Sequence, residues 1–455
     1  MKQFLLLSTL TVLAGVGALT EPFWGVLLYY FLAVLRPQHL WEWAMPVQWR
    51  WSLAAALIVL ICGAVNLHLV LRRARLSVLL VMMIVFGGLL MMSCLTARDP
   101  AIAADWGIDF GKVLLIAVVS SLLIHRTGQV QMLAASVLLS LGYIAYEVNY
   151  TYLLQGGRLD IFHYGYGGLD NNGAGLLLAM GIPFAYAYAA GPHPRFGRLA
   201  QAAATFAVAV LIHAIMLTYS RGAMLAAMVG ALWLLIHHRP RAQSLAMAAL
   251  LIGLVSFMAG PEVRDRFEST TQFHEDDSAQ ARLASWGAGW KLAWEKPFTG
   301  HGLRNSQLVM HTFDDALAGR TIHSLYIQMA ADSGIPAVAL FIGIIALTLW
   351  RLGGAARTCG ATEPRDDTDD LRLGLLQRTC RAAQASMLTY AFGGVFLSIE
   401  VFELAWLLIV VAAVLPPLLR EEAAAAAEDQ EQPSPESQPT GAPVMPRLAV
   451  PRVHA

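Results

Sequence analysis

Apolar residues fill this chain in long runs, and polar positions are confined to short stretches between them. The runs fall near 3–19, 23–36, 52–71, 76–95, 112–125, 131–150, 172–190, 199–218, 222–236, 243–260, 334–350, 384–399 and 402–419. A helix needs about 20 apolar residues to cross a hydrocarbon layer roughly 30 Å thick. Most of these thirteen runs approach that length; either the run at 23–36, cut by Trp24-Gly25 and Arg36-Pro37, is a partial helix, or all thirteen cross and the N-terminus lies outside. The pattern predicts an all-α, polytopic integral membrane protein with about twelve transmembrane helices. The first run is expected to stay in place, because Thr20-Glu21-Pro22 is a poor cleavage site and a second run follows at once.

Basic residues favour the cytoplasmic side. Arg72, Arg73 and Arg75, then Arg126, then Arg195 and Arg198, then Arg239 and Arg241, occupy four short loops, and the segment 351–383 adds Arg351, Arg357, Arg365, Arg372, Arg378 and Arg381. These fall on one side if the runs between them alternate. The opposite, periplasmic or extracellular side then holds 38–51, 96–111, 151–171, the turn 219–221 and one long loop, 261–322. The domain organisation expected is a transmembrane domain over 1–420 and a disordered cytoplasmic tail over 421–455, which is rich in Ala, Glu, Pro, Ser and Gln.

Composition narrows the function classes. The chain is 57% hydrophobic and 14% charged, with 31 basic and 31 acidic residues. A net charge of zero excludes nucleic acid as the main partner, since that surface needs a basic field. Cys62, Cys94, Cys359 and Cys380 form no CxxC pair, so neither a disulfide framework nor a zinc site is expected. No internal repeat and no matching pair of broken helices supports a secondary transporter.

The outer loop carries the candidate chemistry. From Ser278, a helix cap candidate, the run AQARLASWGAGWKLAWEK places Trp286, Trp290 and Trp294 on one face with Arg282 a turn earlier. Tryptophan favours the membrane boundary, so this helix is expected to lie along it. His323 stands where the loop ends and a helix begins. At that depth an imidazole is expected to keep its reference pKa of about 6.5 and to serve as a base. The other outer histidines, His163, His274, His301 and His311, lack the spacing of a helical metal pair. Among 27 arginines, Arg221 sits in the outer turn TYSRG, against the positive-inside trend, and an ionisable residue there is a site candidate. Arg264, Arg266, Arg304 and Arg320 share the outer loop with Arg282 and nine acids, and most are expected to be solvated pairs.

These elements together resemble a known superfamily. YSRGAMLAAMVGALWLL is similar to the Ser-Arg-Gly element of the O-antigen ligase and polymerase superfamily, and ARLASWGAGWKLAWEKPFTGHGLRNS to its Arg-x-x-x-Trp…Pro-x-x-Gly-x-Gly element. TIHSLYIQMAADSGIPA resembles its His signature, with Ile327 in place of Leu, and GLDNNGAGLLLAMGIP an Asn-containing turn. The likeness covers roughly residues 165–350, while EPFWGVLLYYFLAVLRPQHLWEW resembles a branch of ligases from exopolysaccharide loci. The resemblance implies a glycosyltransferase of the Gram-negative inner membrane, working at the periplasmic face without a metal or other cofactor. It implies a glycan donor on undecaprenyl pyrophosphate and a lipid A-core acceptor. It also implies His323 as catalytic base, with Arg221 and Arg282 on the pyrophosphate and Arg266 and Tyr219 as further substrate-binding residues.

Three other readings stay open. A polymerase would extend one lipid-linked glycan with another, and an oligosaccharyltransferase would use a protein acceptor. The metal-dependent kind needs outer acids, for which Asp105 and Asp109 are the tempting pair, more simply read as a helix N-terminal turn. A lipid-glycan transporter would use carboxylates such as Glu147, Glu400 and Glu403, here read as structural acids.

Overall fold

A computed structural model describes residues 2–45, 48–154, 159–237 and 277–431. Among them the chain is all helix, with two isolated bridges and no strand. In order, the helices are α1 (Lys2–Thr20), α2 (Phe23–Leu35), α3 (Pro37–Leu40), α4 (Trp51–Val65), α5 (Leu67–Arg73), α6 (Val78–Leu95), α7 (Pro100–Leu123), α8 (Thr127–Leu154) and α9 (Ile161–Tyr164). There follow α10 (Asn171–Ala179), α11 (Ile182–Ala189), α12 (Gly197–Met216), α13 (Arg221–His237), α14 (Asp277–Glu295), α15 (Leu325–Ser333), α16 (Ile335–Ala361), α17 (Asp367–Gly393) and α18 (Glu403–Glu431).

Among the described residues, seven helices are long and apolar enough to cross a membrane, or eight if the bent pair α4–α5 is one span. This is a multi-pass membrane protein. The expected count of about twelve is not reached among the described residues, for local reasons. The run at 243–260 lies outside the described residues, and α2 has only 13 residues. The run at 52–71 bends by 83° at Asn66, whose amide donates to the carbonyls of Cys62 and Leu19. The run at 172–190 is broken into α10 and α11 at Met180-Gly181; Ser386 Oγ donates to the freed Met180 carbonyl at 3.0 Å. A broken helix survives in an apolar layer only when its backbone groups are satisfied again in this way.

The innermost helix is α18. Its apolar window is 78% buried, against 11% for α1. Trp406 anchors it, with ring centroids 5.9 Å from Phe86 of α6, 5.8 Å from Phe110 of α7 and 6.1 Å from Phe341 of α16. Pro416 and Pro417 sit inside α18 and offer no N–H to the carbonyls four residues earlier, Ala412 and Ala413. Arg351 of α16 fills both vacancies, donating from Nε to Ala412 at 2.8 Å and from Nη2 to Ala413 at 3.1 Å. Its guanidinium thus repairs a proline-broken ladder. Arg351→Leu is expected to strand both carbonyls, at about 1–3 kcal/mol each, read as a lower melting temperature of the detergent-solubilised protein.

Clustering by contact separates residues 1–419 from a second unit, 420–455. The helical part of the second unit extends to Glu431, because EEAAAAAEDQE is made of strong helix formers. The expected tail boundary at 421 therefore falls inside helix, and residues 432–455 lie outside the described residues.

Candidate active site

The turn after α12 and the start of α10 come together first. Asp170 caps α10, its Oδ1 accepting from Gly173 N at 2.8 Å. Asn171 Nδ2 donates to the Thr218 carbonyl at 2.9 Å, and Ser220 Oγ donates to Asn172 Oδ1 at 2.8 Å while capping the Ala223 N–H of α13. Gly175 permits the approach, since a Cβ there would meet Thr218 Oγ1 at 2.8 Å and the Ala223 Cβ at 2.9 Å. The Asp170-Asn171-Asn172 segment and the Tyr219-Ser220-Arg221 turn are thus one structure. Arg221 is the first residue of α13, half-buried.

His323 is built from the other side. Its φ is +55°, a conformation that costs a non-glycine residue energy and persists only where the surroundings enforce it. The enforcement is visible in its neighbours. Ile322 N donates to Gln328 Oε1, Leu325 N to the Gly394 carbonyl at 2.8 Å, and Trp286 Nε1 to the His323 carbonyl at 3.4 Å. Thr321 Oγ1 lies 3.1 Å from His323 Nε2. Tyr219 and Arg304 share the left-handed conformation, at φ +52° and +57°. Trp286 bridges the two halves: its ring lies 6.2 Å from that of Phe396, whose Cβ is 3.7 Å from where a Cβ of Gly222 would stand.

Burial pushes the His323 imidazole below its ordinary value, and the charge of Arg282 pushes it the same way; the carboxylate of Asp170 opposes them, and Arg304 and Arg320 add to the lowering. This corrects the expectation that a surface histidine keeps its reference pKa. The reason is that His323 is half-buried and feels Arg282 and Arg304, which stand well apart from it in the sequence.

Beneath His323 lies a buried polar frame. Asp332 accepts from Ser306 N at 3.0 Å and from Gln328 Nε2 at 2.6 Å, and Gln328 Nε2 also donates to Ser306 Oγ. Burial pushes the Asp332 carboxyl up to about 6, against the pull of these hydrogen bonds. The PFTGHGLRNS loop wraps this frame: His301 N donates to the Ala331 carbonyl and Gly302 N to that of Asp332, both at 2.9 Å. Gly300, at φ +65°, has no room for a Cβ, which would stand 2.3 Å from the Asp332 carbonyl carbon. Gly300→Ala is expected to open the clasp and lower both the melting temperature and the yield of folded protein.

Other expected placements are partly revised. Of the three indoles, Trp290 and Trp294 are 48% and 61% exposed, whereas Trp286 turns inward to His323, because α14 drifts by 40° between i and i+4. That helix begins at Asp277, one residue before the expected cap. Arg304 leaves the solvated set: it pairs with Glu400 at 3.1 Å, with side chains 13% and 12% exposed, and its guanidinium lies 4.4 Å from the Trp106 ring centre. Glu403 pairs with Arg36 at 2.8 Å, so both acids have structural partners. Asp105 and Asp109 lie beyond the first turn of α7, which is capped by Asp99, and Asp109 pairs with Lys112. Arg264, Arg266 and His274 lie outside the described residues. Tyr219 lines a cavity described below. Among the described residues no three His, Cys, Asp or Glu side chains gather as a metal site.

Asp170, Thr321 and Trp286 were not singled out as site residues from the sequence. The GLDNNGAG turn was the only available signal for the first; the other two act through contacts that spacing alone does not specify.

Comparison with known families adds to this geometry. Residues 1–171 match a family of unknown function, and a search of curated proteins gives no match. Residues 206–342 match the O-antigen ligase family, a span that contains Tyr219, Arg221, Arg266, Arg282 and His323. The Ser220-Arg221-Gly222 turn, the Arg282–Trp286 helix and His323 therefore all fall within the one segment that matches the O-antigen ligase family.

Proposed function

We propose that this protein is an O-antigen ligase, moving a glycan from undecaprenyl pyrophosphate to a sugar hydroxyl of lipid A-core at the periplasmic face of the inner membrane. The observation that carries the reading is a junction between the family segment and the turn before α10: His323, held by Trp286, feels the charges of Arg282 and Asp170, and Asp170 belongs to the turn bonded to Ser220 beside Arg221.

In the reaction proposed, the acceptor oxygen attacks the anomeric carbon and its proton passes to His323. If Thr321 Oγ1 accepts from Nε2–H, the Nδ1 lone pair is the one that receives it. The bond from the anomeric carbon to the pyrophosphate oxygen breaks, and undecaprenyl pyrophosphate leaves with the electron pair. Arg221 and Arg282 stabilise the charge that gathers on it, since guanidinium grips phosphate through two parallel N–H donors. Tyr219 contacts the sugar side. A lowered His323 pKa suits the role, because the imidazole is then already neutral at pH 7. The arginines supply the positive charge that a metal would otherwise bring.

Purified protein given undecaprenyl-pyrophosphate glycan and rough lipopolysaccharide is expected to build a ladder on lipid A-core, at a rate unchanged by EDTA. Longer chains on undecaprenyl pyrophosphate, with nothing on lipid A-core, would make the protein a polymerase instead. A rate abolished by EDTA and restored by a divalent cation would overturn the metal-independent step.

A further inference from the structure

A cavity of about 590 Å³ opens beside the Arg221 turn, between the outer ends of α8 and α12 and the α9 segment. This volume lies in the range of small-molecule sites, about 300–1,000 Å³. Its floor is apolar, formed by Val148, Leu217 and Ile161, and its walls are aromatic and polar. The Phe162 and Tyr219 rings meet edge to face at 4.8 Å, and Tyr152 adds a third ring, 44% exposed. At the mouth Asp160 Oδ2 lies 2.7 Å from His163 Nδ1, both half open to solvent.

We propose that this cavity is a carbohydrate subsite that holds a pyranose ring next to the reacting centre. The inference rests on the transferase reading for its biological source and on this geometry for its chemistry. A pyranose has a C–H face and an edge of hydroxyls. The C–H face packs on the negative face of an aromatic ring, and the hydroxyls need hydrogen-bonding partners, of which a carboxylate is the strongest. Tyr152, Phe162 and Tyr219 offer the first surface and Asp160 with His163 the second. A polyprenyl chain fits less well, because lying against the Asp160–His163 pair would strip it of water without replacing the lost hydrogen bonds. Proximity points the same way. Tyr219 belongs to both the cavity and the turn of Arg221, so a ring bound here stands within one or two sugar units of a phosphate bound there. Either substrate could supply that ring, the donor glycan or the acceptor core.

Saturation-transfer NMR on the full chain in nanodiscs tests this without requiring turnover. Three ligands serve as separate arms: the glycan freed from undecaprenyl pyrophosphate by mild acid, delipidated core oligosaccharide, and farnesyl phosphate. Saturation is expected on the ring C–H protons of one of the two glycans, falling at least fivefold in Tyr152→Ala and in Phe162→Ala and retained in Tyr152→Phe. The glycan that responds identifies the source. Response from farnesyl phosphate alone, or glycan signals unchanged in both alanine variants, would overturn the subsite. If transfer to lipid A-core failed while the glycan response persisted, the ligase reading would fall and the subsite would stand.

Discussion

Replacing His323 by Ala is expected to lower transfer to lipid A-core by about 10²–10⁴-fold, the usual contribution of a positioned general base. The loss should appear in turnover, with the protein still present in the membrane at normal levels. The fold does not depend on the imidazole: the backbone there is held through the His323 carbonyl by Trp286 and through Ile322 and Leu325 by Gln328 and Gly394. The wild-type pH profile carries the sign of the environment. Activity rises as His323 loses its proton, and burial with Arg282 holds that step below the ordinary 6.5. The acid limb should therefore lie below pH 6.5, with a plateau through neutrality. Full transfer by His323→Ala would remove the base assignment.

Arg282→Gln is expected to act twice. Losing a charged donor to pyrophosphate is worth about 1.5–3 kcal/mol, or roughly 10–150-fold in rate. Removing the cation beside His323 also raises the imidazole pKa, so the acid limb should move towards pH 6.5. Arg221→Gln should slow the reaction by a similar factor and leave the limb in place, because Arg221 is not among the charges that dominate His323. Rate–pH curves for the two variants separate these roles. A limb that stays put in Arg282→Gln would mean that its charge does not reach the base, and a rate within twofold of wild type would take it off the pyrophosphate.

Much of this was legible along the chain because apolar periodicity and motif order are local. The runs that became α6, α8, α12 and α16 stand out by composition, and the Ser220-Arg221-Gly222, Arg282–Trp286 and His323 elements by their order along the chain. A run of the right hydropathy does not always make one straight helix. Asn66 bends one, Met180-Gly181 breaks another, and α17 starts in a polar stretch at Asp367, well before its apolar end. Hydropathy measures transfer into lipid and carries no information about backbone continuity.

Composition and pattern alone determined that this is a helical, multi-pass membrane protein, and the order of its motifs pointed to a likeness to the O-antigen ligase family. Only the tertiary structure decided which charges act together. Arg304 and Arg282 are 22 positions apart, yet the first is bound to Glu400 and the second is the charge that weighs most on His323. Arg351 reads as one more cytoplasmic arginine until the fold carries it to two carbonyls freed by proline. Asp170 reaches the histidine across 153 positions of chain. The physical reason is common to all of these. A side chain's burial and hydrogen-bonding partners come from distant segments, and those two quantities set both its charge state and its function.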